Sequence, residues 1–215
     1  MTGRRDDNLL NMVVVGDFSR IGLTQASPTL QAIVSIGDDN GSGWLAMPDR
    51  AVTASHCIPA GQSTQIIYDA FQNSRIARVF HYPAGSDGSN DDIAVLVFSS
   101  PFTTQPLGFG GVESDSVPGS TVEVAGRCDG RLGDIVWFDG KVAALSDGML
   151  FYAVNTLQGH SGSPVFIIPM VDAAAPSRVI GVHLGGGVGA PAGLNNVNRG
   201  AFIDADRQAF IRNPT

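Results

Sequence analysis

The segment Thr156–Phe166 reads TLQGHSGSPVF. It sets two serines and a histidine in a glycine-rich turn that runs straight into an apolar stretch. Glycine relaxes the restriction on backbone angles. With Gly159 ahead of Ser161 and Gly162 behind it, successive N–H groups can converge on one point beside the Ser161 hydroxyl. Such convergence is what a developing oxyanion needs. A plain hairpin corner before a buried strand would carry some of the same residues. The segment alone leaves both readings open, and the partners that a reactive hydroxyl requires must be sought elsewhere in the chain.

Outward from this turn the chain is a succession of short apolar runs punctuated by 27 glycines and 12 prolines, the pattern of an all-β protein. Strands are predicted over Gln31–Ile36, Gly43–Met47, Arg50–Ala54, Thr64–Tyr68, Ile76–Phe80 and Ile93–Phe98. A second set covers Thr121–Ala125, Ile135–Phe138, Lys141–Ala144, Leu150–Val154, Val165–Ile168, Val179–Leu184 and Ala201–Ile203. Ser99–Gly119, rich in Pro, Gly, Ser and Thr, separates the sets as a linker, and Asp38–Ser42 and Ala84–Asn90 read as polar loops. About six strands on each side predicts two packed six-stranded antiparallel β-barrels, the first within residues 1–110 and the second within 111–215. Asp204 caps the one helical signal, Ala205–Arg212.

With 215 residues, 43% apolar and 15% charged, the chain has enough material for a substantial core. A net charge of −7, with a single lysine (Lys141) among 13 basic residues and no basic cluster interleaved with aromatics, argues against a nucleic-acid partner. No apolar run reaches the length of a membrane-spanning helix. The opening residues make a poor leader, so location stays open between an intracellular protein and a mature form without its leader. Cys57 and Cys128 are too few for a disulfide framework and are expected as free thiols. His56, His81, His160 and His183 lack the spacing of a metal site, and no cofactor is expected.

Two further stretches supply partners for the Ser161 hydroxyl. In AVTASHCI, Ala51–Ile58, an apolar strand delivers His56 at its end. In SNDDIAVLVF, Ser89–Phe98, the pair Asp91–Asp92 opens a buried strand. Each is commonplace alone. Together they provide a nucleophile, a base to take its proton and a carboxylate to orient that base.

In this order, TASHC, NDDIAVL and GHSGSPV resemble the histidine, aspartate and serine motifs of the chymotrypsin-like serine peptidases, and more closely their bacterial glutamyl endopeptidase branch. The likeness runs from about Gln31 to Ile211. It implies His56 as general base, Asp92 as its orienting carboxylate and Ser161 as nucleophile, with the backbone N–H groups of Gly159 and Ser161 as oxyanion hole. Asp92 is preferred to Asp91 because it directly precedes the apolar strand. Ser163 is the alternative nucleophile, but it abuts Pro164 and lies outside the Gly-x-Ser-Gly register. His160 stands where many relatives carry Asp or Asn, and is expected to face solvent. The cysteine that would pair with Cys57 is absent, since Gly41, Ser42 and Gly43 fill the stretch where it is expected. His81 is expected on the surface of the first barrel.

For specificity, Asn155 lies where trypsin-like relatives carry the aspartate that attracts lysine and arginine. The resemblance implies instead that Thr156 and His183, with Gly185 beside them, receive a substrate carboxylate. A core histidine bonded to a carbonyl is the plainer reading of His183. The pocket's charge would come from a freed N-terminus near Val13–Gly16 or from Arg199, whose plainer reading is a surface arginine. The expected partner is a protein or peptide substrate, and a monomer is favoured. Rival readings are a same-fold peptidase preferring an uncharged residue, a viral-type processing protease and a catalytically silent binding module.

Overall fold

A computed structural model describes residues 21–22, 28–38, 40–83, 92–128, 135–168 and 177–215. The predicted loop Ala84–Asn90, Asp91 and the Val13–Gly16 segment lie outside the described residues. Thirteen strands are described, with a one-turn helix α1 (Pro28–Gln31) and a C-terminal helix α2 (Ala205–Arg212).

The first barrel closes in the order β2-β3-β4-β7-β6-β5. These strands are β2 (Ile33–Ile36), β3 (Ser42–Met47), β4 (Arg50–Thr53), β5 (Thr64–Tyr68), β6 (Ser74–His81) and β7 (Ala94–Val97). Its core is made by the β-branched and aliphatic residues that marked the strands, with Ile33, Leu45, Val52, Ile67 and Leu96 wholly buried. Burying each such side chain contributes about 1.5–3 kcal/mol.

The second barrel comprises β8 (Thr121–Arg127), β9 (Ile135–Ser146), β10 (Met149–Ala153), β11 (Pro164–Ile167), β12 (Arg178–Gly186) and β13 (Asn198–Phe202). It runs β9-β10-β13-β12-β11-β8 and closes through β8 with β9, so the architecture is two closed six-stranded antiparallel barrels. The two-residue strand β1 (Ile21–Gly22) adds to β9 at Val136 and Trp137, on the second barrel.

Two details differ from the sequence reading. Asp139–Gly140 was expected to separate two strands, but β9 passes through it unbroken. Gly140 is there because of packing, since a Cβ at that position would collide with the carbonyl of Ala153. Ser42 was expected at the end of a polar loop. It opens β3 instead and is wholly buried.

The Ser99–Gly119 stretch straps the barrels together. Leu107 N–H donates to Leu45 O on β3 (2.8 Å), and Gly110 N–H donates to Val179 O on β12 (2.9 Å). The Asp204 carboxylate caps α2 by accepting from Arg207 N–H (2.9 Å), as the sequence predicts. The helix then reaches back to the first barrel, with Phe210 edge-on to Tyr82 at 5.1 Å between centroids.

Both cysteines are free and buried, Cys57 on the turn after β4 and Cys128 at the end of β8. Where a disulfide mate would have stood, the Cys57 sulfur packs on the backbone, so close that a Cβ at Gly41 would lie 2.7 Å from it. Native protein should therefore resist a thiol reagent at both positions and take up two equivalents in denaturant. A mass gain of two hydrogens on reduction would contradict this.

Candidate active site

The strand β4 ends in a 3-10 turn, Ser55–Cys57, that places His56 at the barrel rim. Asp92 meets it from the start of β7. One carboxylate oxygen accepts the His56 backbone N–H (2.9 Å) and the other lies 2.6 Å from His56 Nδ1. This double contact fixes both the position and the ring orientation of the imidazole. With Nδ1–H donating to the carboxylate, Nε2 is left as the basic edge. The Asp92 hydrogen bond, followed by that of the Cys57 sulfur, raises the His56 pKa from 6.5 to about 10, and burial opposes the rise in part.

The turn before β11 carries Ser161. Gly159 and Gly162 hold φ angles of +96° and +83°, and a Cβ on either would strike backbone, the carbonyl of Arg127 for Gly159 and that of Ser42 for Gly162. Glycine is therefore required at both places. Among the described residues the N–H groups of Gly159 and Ser161 have no hydrogen-bond acceptor. The turn is tied down on every other side. Gly162 N–H donates to His183 O (2.8 Å), and His183 N–H donates to Ser163 O (2.8 Å).

His56, Asp92, Gly159 and Ser161 line one cleft of about 470 Å³, together with Thr156, His183, Gly185 and Arg199. The structure thus brings together every site residue expected from the sequence. Ser163 is excluded from that cleft, being wholly buried with its hydroxyl packed against Gly126. Asn155 is buried and does not line the cleft. His81 is exposed as expected, with Nδ1 3.0 Å from Ser55 Oγ.

One reading needs correction. His160, expected to face solvent, is completely buried. Its Nδ1 accepts the N–H of Leu157 (3.3 Å), which requires that nitrogen to be unprotonated. The ring hydrogen then sits on Nε2, 3.2 Å from Cys128 Sγ. The ring is a post beneath the turn, and a solvent-facing side chain could not brace it. Arg199, whose plainer reading was a surface residue, is partly exposed and lines the cleft wall, with its Nε buried.

His183 combines both readings it was given, being 2% exposed yet part of the cleft wall. Its partner is a side chain and not a carbonyl, the Tyr152 hydroxyl, 2.6 Å from Nδ1. A β-bulge between His183 and Gly185, opposite Gly200 and Arg199, shapes the wall here. Burial pushes the His183 pKa well down, and repulsion from His160 and His56 adds to it, so the ring is uncharged at neutral pH. Tyr152 had no motif to announce it. The only available signal was a tyrosine in the otherwise apolar strand MLFYA, whose hydroxyl had to find a partner.

With the geometry in place, likeness to known proteins can be stated. The trypsin-like peptidase domain family matches residues 41–167. The chain belongs to the trypsin-like peptidases. It is 30% identical over 171 residues to a glutamyl endopeptidase of Bacillus licheniformis, covering 70% of this chain and 52% of that protein. The chain therefore spans about half the length of this curated relative.

Two solved structures share the trypsin-like fold. One is a Glu endopeptidase in complex with MPD, with TM-score 0.70 and 21% identity over 93% of this chain and 98% of the other. The second is an inactivated protease paralogue from the scabies mite, with TM-score 0.64 and 16% identity over 89% and 97% of the two chains. An inactivated paralogue on the same scaffold means that this fold alone does not establish activity.

Burial of His160 has a consequence for stability. Its pKa falls from 6.5 to about 4, chiefly through burial. As the pH drops, the unfolded chain protonates this ring first, so the folded state loses stability between pH 6.5 and 4. For a shift of this size the loss is about 3 kcal/mol. The melting temperature of His160→Leu should therefore fall less steeply across that window than that of the unsubstituted chain. Parallel curves would mean that His160 titrates freely.

Proposed function

We propose that the chain is a serine endopeptidase working through Ser161, His56 and Asp92, and that it cleaves after glutamate, with aspartate a weaker substrate. The observation that carries the first part is the shared cleft of Ser161 with the Asp92-bound His56, while the rival Ser163 is buried. The Ser161 hydroxyl attacks the scissile carbonyl carbon as His56 Nε2 takes its proton. The imidazolium so formed is stabilised by Asp92, and the oxyanion by the N–H groups of Gly159 and Ser161. Collapse of this intermediate expels the amine, which receives the proton from His56, and leaves an acyl-enzyme. Water, activated by the same base, then releases the acid.

Glutamate preference is supported by the likeness to a glutamyl endopeptidase and by Thr156 and His183 in the cleft wall. A carboxylate leaving water must find donors. The Tyr152 hydroxyl has one hydrogen and two acceptors, His183 Nδ1 at 2.6 Å and Arg199 O at 3.2 Å. Donated to Nδ1, it leaves the ring hydrogen on Nε2, which becomes a donor. Donated to Arg199 O, it leaves Nε2 an acceptor. A carboxylate in the cleft selects the first arrangement. Aspartate, one methylene shorter, reaches the same donors only with strain.

A fluorophosphonate probe and a peptide library test the two parts separately. Ser161→Ala should abolish labelling and nearly all turnover while remaining folded, and Ser163→Ala should still be labelled. The opposite pattern would sink the nucleophile assignment, and an unlabelled parent chain would favour a silent binding module. In the library, new termini should follow glutamate, and His183→Ala should lower glutamyl kcat/KM roughly ten- to a hundred-fold, the loss of one charge-assisted donor. Cuts after basic or aromatic residues would overturn the pocket reading alone.

The raised pKa of His56 sets a pH profile. Only the neutral ring can take the Ser161 proton, so kcat/KM should climb on the alkaline side, with its ascending limb between 6.5 and about 10. A limb at or below 6.5 would show that the Asp92 and Cys57 contacts do not outweigh burial at His56.

A further inference from the structure

We infer that Arg199 supplies the positive charge that separates a glutamate side chain from its neutral isostere glutamine, an inference that rests on the glutamyl reading above. Burial keeps His183 uncharged, and Thr156 offers a hydroxyl. Two such neutral donors suit the two oxygens of a carboxylate better than the oxygen and NH2 of an amide, but they leave the charge of glutamate unbalanced. A cation near the end of the substrate side chain favours glutamate by attraction that glutamine does not feel.

Among the described residues Arg199 is the one arginine or lysine in the cleft wall. It lies on β13, paired with Gly185 across the bulge, next to the Gly200 that pairs with His183. Its Nη1 donates to Val188 O (3.2 Å), which tethers the guanidinium to the chain leaving β12. Its Nε is buried without a hydrogen-bond partner among the described residues. No carboxylate among the described residues pairs with it, whereas Arg50 pairs with Asp49 and Arg207 with Asp204.

A guanidinium that lines the cleft with one buried, unused donor and no carboxylate partner among the described residues is placed to receive an anion. The two other charged groups in the wall are committed to one another, Asp92 to His56. Tyr152 fixes the geometry further, since its hydroxyl touches both His183 Nδ1 and the Arg199 carbonyl oxygen. The neutral donor is thereby tied to the backbone of the strand that carries the cation.

The test compares kcat/KM for two peptides identical except for glutamate or glutamine at the residue before the cut. The full chain is used, with Arg199→Met, Arg199→Gln and Arg199→Lys. In the first two the glutamate-to-glutamine ratio should fall roughly ten- to a hundred-fold, and the lysine variant should keep part of it. Thermal melting reports whether each variant is folded. A folded methionine or glutamine variant with an unchanged ratio would overturn the inference.

Should neither neutral variant fold, the unsubstituted chain decides by salt. A charge-to-charge preference weakens as ionic strength rises. A ratio insensitive to salt would then count against Arg199. If His183→Ala loses glutamyl cleavage while Arg199→Met keeps its ratio, the glutamyl reading stands and Arg199 has no part in it. If the parent chain does not cut after glutamate, both fall.

Discussion

One buried serine hydroxyl holds the two barrels in register where the chemistry is proposed. Ser42, the first residue of β3, donates from Oγ to Gly159 O (2.7 Å) and accepts the N–H of Arg127 on β8 (2.8 Å). Its own N–H donates to Ser161 O (2.8 Å), and its carbonyl accepts from Thr53 Oγ1 on β4 (2.6 Å). The nucleophile turn belongs to the second barrel and His56 and Asp92 belong to the first. Catalysis of this kind depends on placement to within fractions of an ångström. Ser42 bonds to the turn on both sides of His160, so barrel packing and turn geometry cannot vary independently. Ser42 itself is wholly buried, and a missing partner there would leave an unsatisfied polar group at a cost of about 1–3 kcal/mol.

Gly126 belongs to the same knot. A Cβ there would overlap the Ser163 hydroxyl and lie within 3.0 Å of both His160 Cδ2 and Ser42 Oγ. The turn is thus packed from below by His160 and Cys128, from the side by Gly126 and from the first barrel by Ser42. Gly162 and Ser163 join it to β12, the strand that carries His183. The proposed nucleophile and the proposed specificity wall are therefore parts of one hydrogen-bonded unit, although Ser161 and His183 lie 22 positions apart in the chain.

Much of this was legible from the chain alone, and for identifiable reasons. Strands bury alternate or continuous apolar residues, so Thr64–Tyr68 and the run at Ala94–Val97 declare themselves locally. His56, Asp92 and Ser161 each sit in a distinctive short context, and their order completed the pattern. What escaped was non-local. Ser42 looks like loop material in DDNGS, and only its contacts across the barrels give it a structural role. His160 beside the nucleophile carries no mark of burial, because its partners Leu157 N–H and Cys128 meet it only in the fold. Gly140 mimics a turn when its purpose is to let Ala153 approach. Arg199 is indistinguishable from any surface arginine until the wall of the cleft is assembled.

Three histidines show how far environment, and not residue type, decides chemistry. His56 is half exposed and bound to a carboxylate, so its charged form is favoured and its pKa rises. His160 and His183 are buried with no anion beside them, so their neutral forms win and their pKa values fall. A protonated His160 would lose its bond from Leu157 N–H, and a protonated His183 would face His56 as a like charge. Neutrality suits them to orient and donate, whereas His56, whose charged form Asp92 favours, can take a proton in the proposed reaction only once it has lost its own. The consequence reaches the substrate. In the proposed glutamyl pocket a neutral histidine can fix the direction of a carboxylate but cannot balance its charge, which is the part proposed for Arg199 on the neighbouring strand.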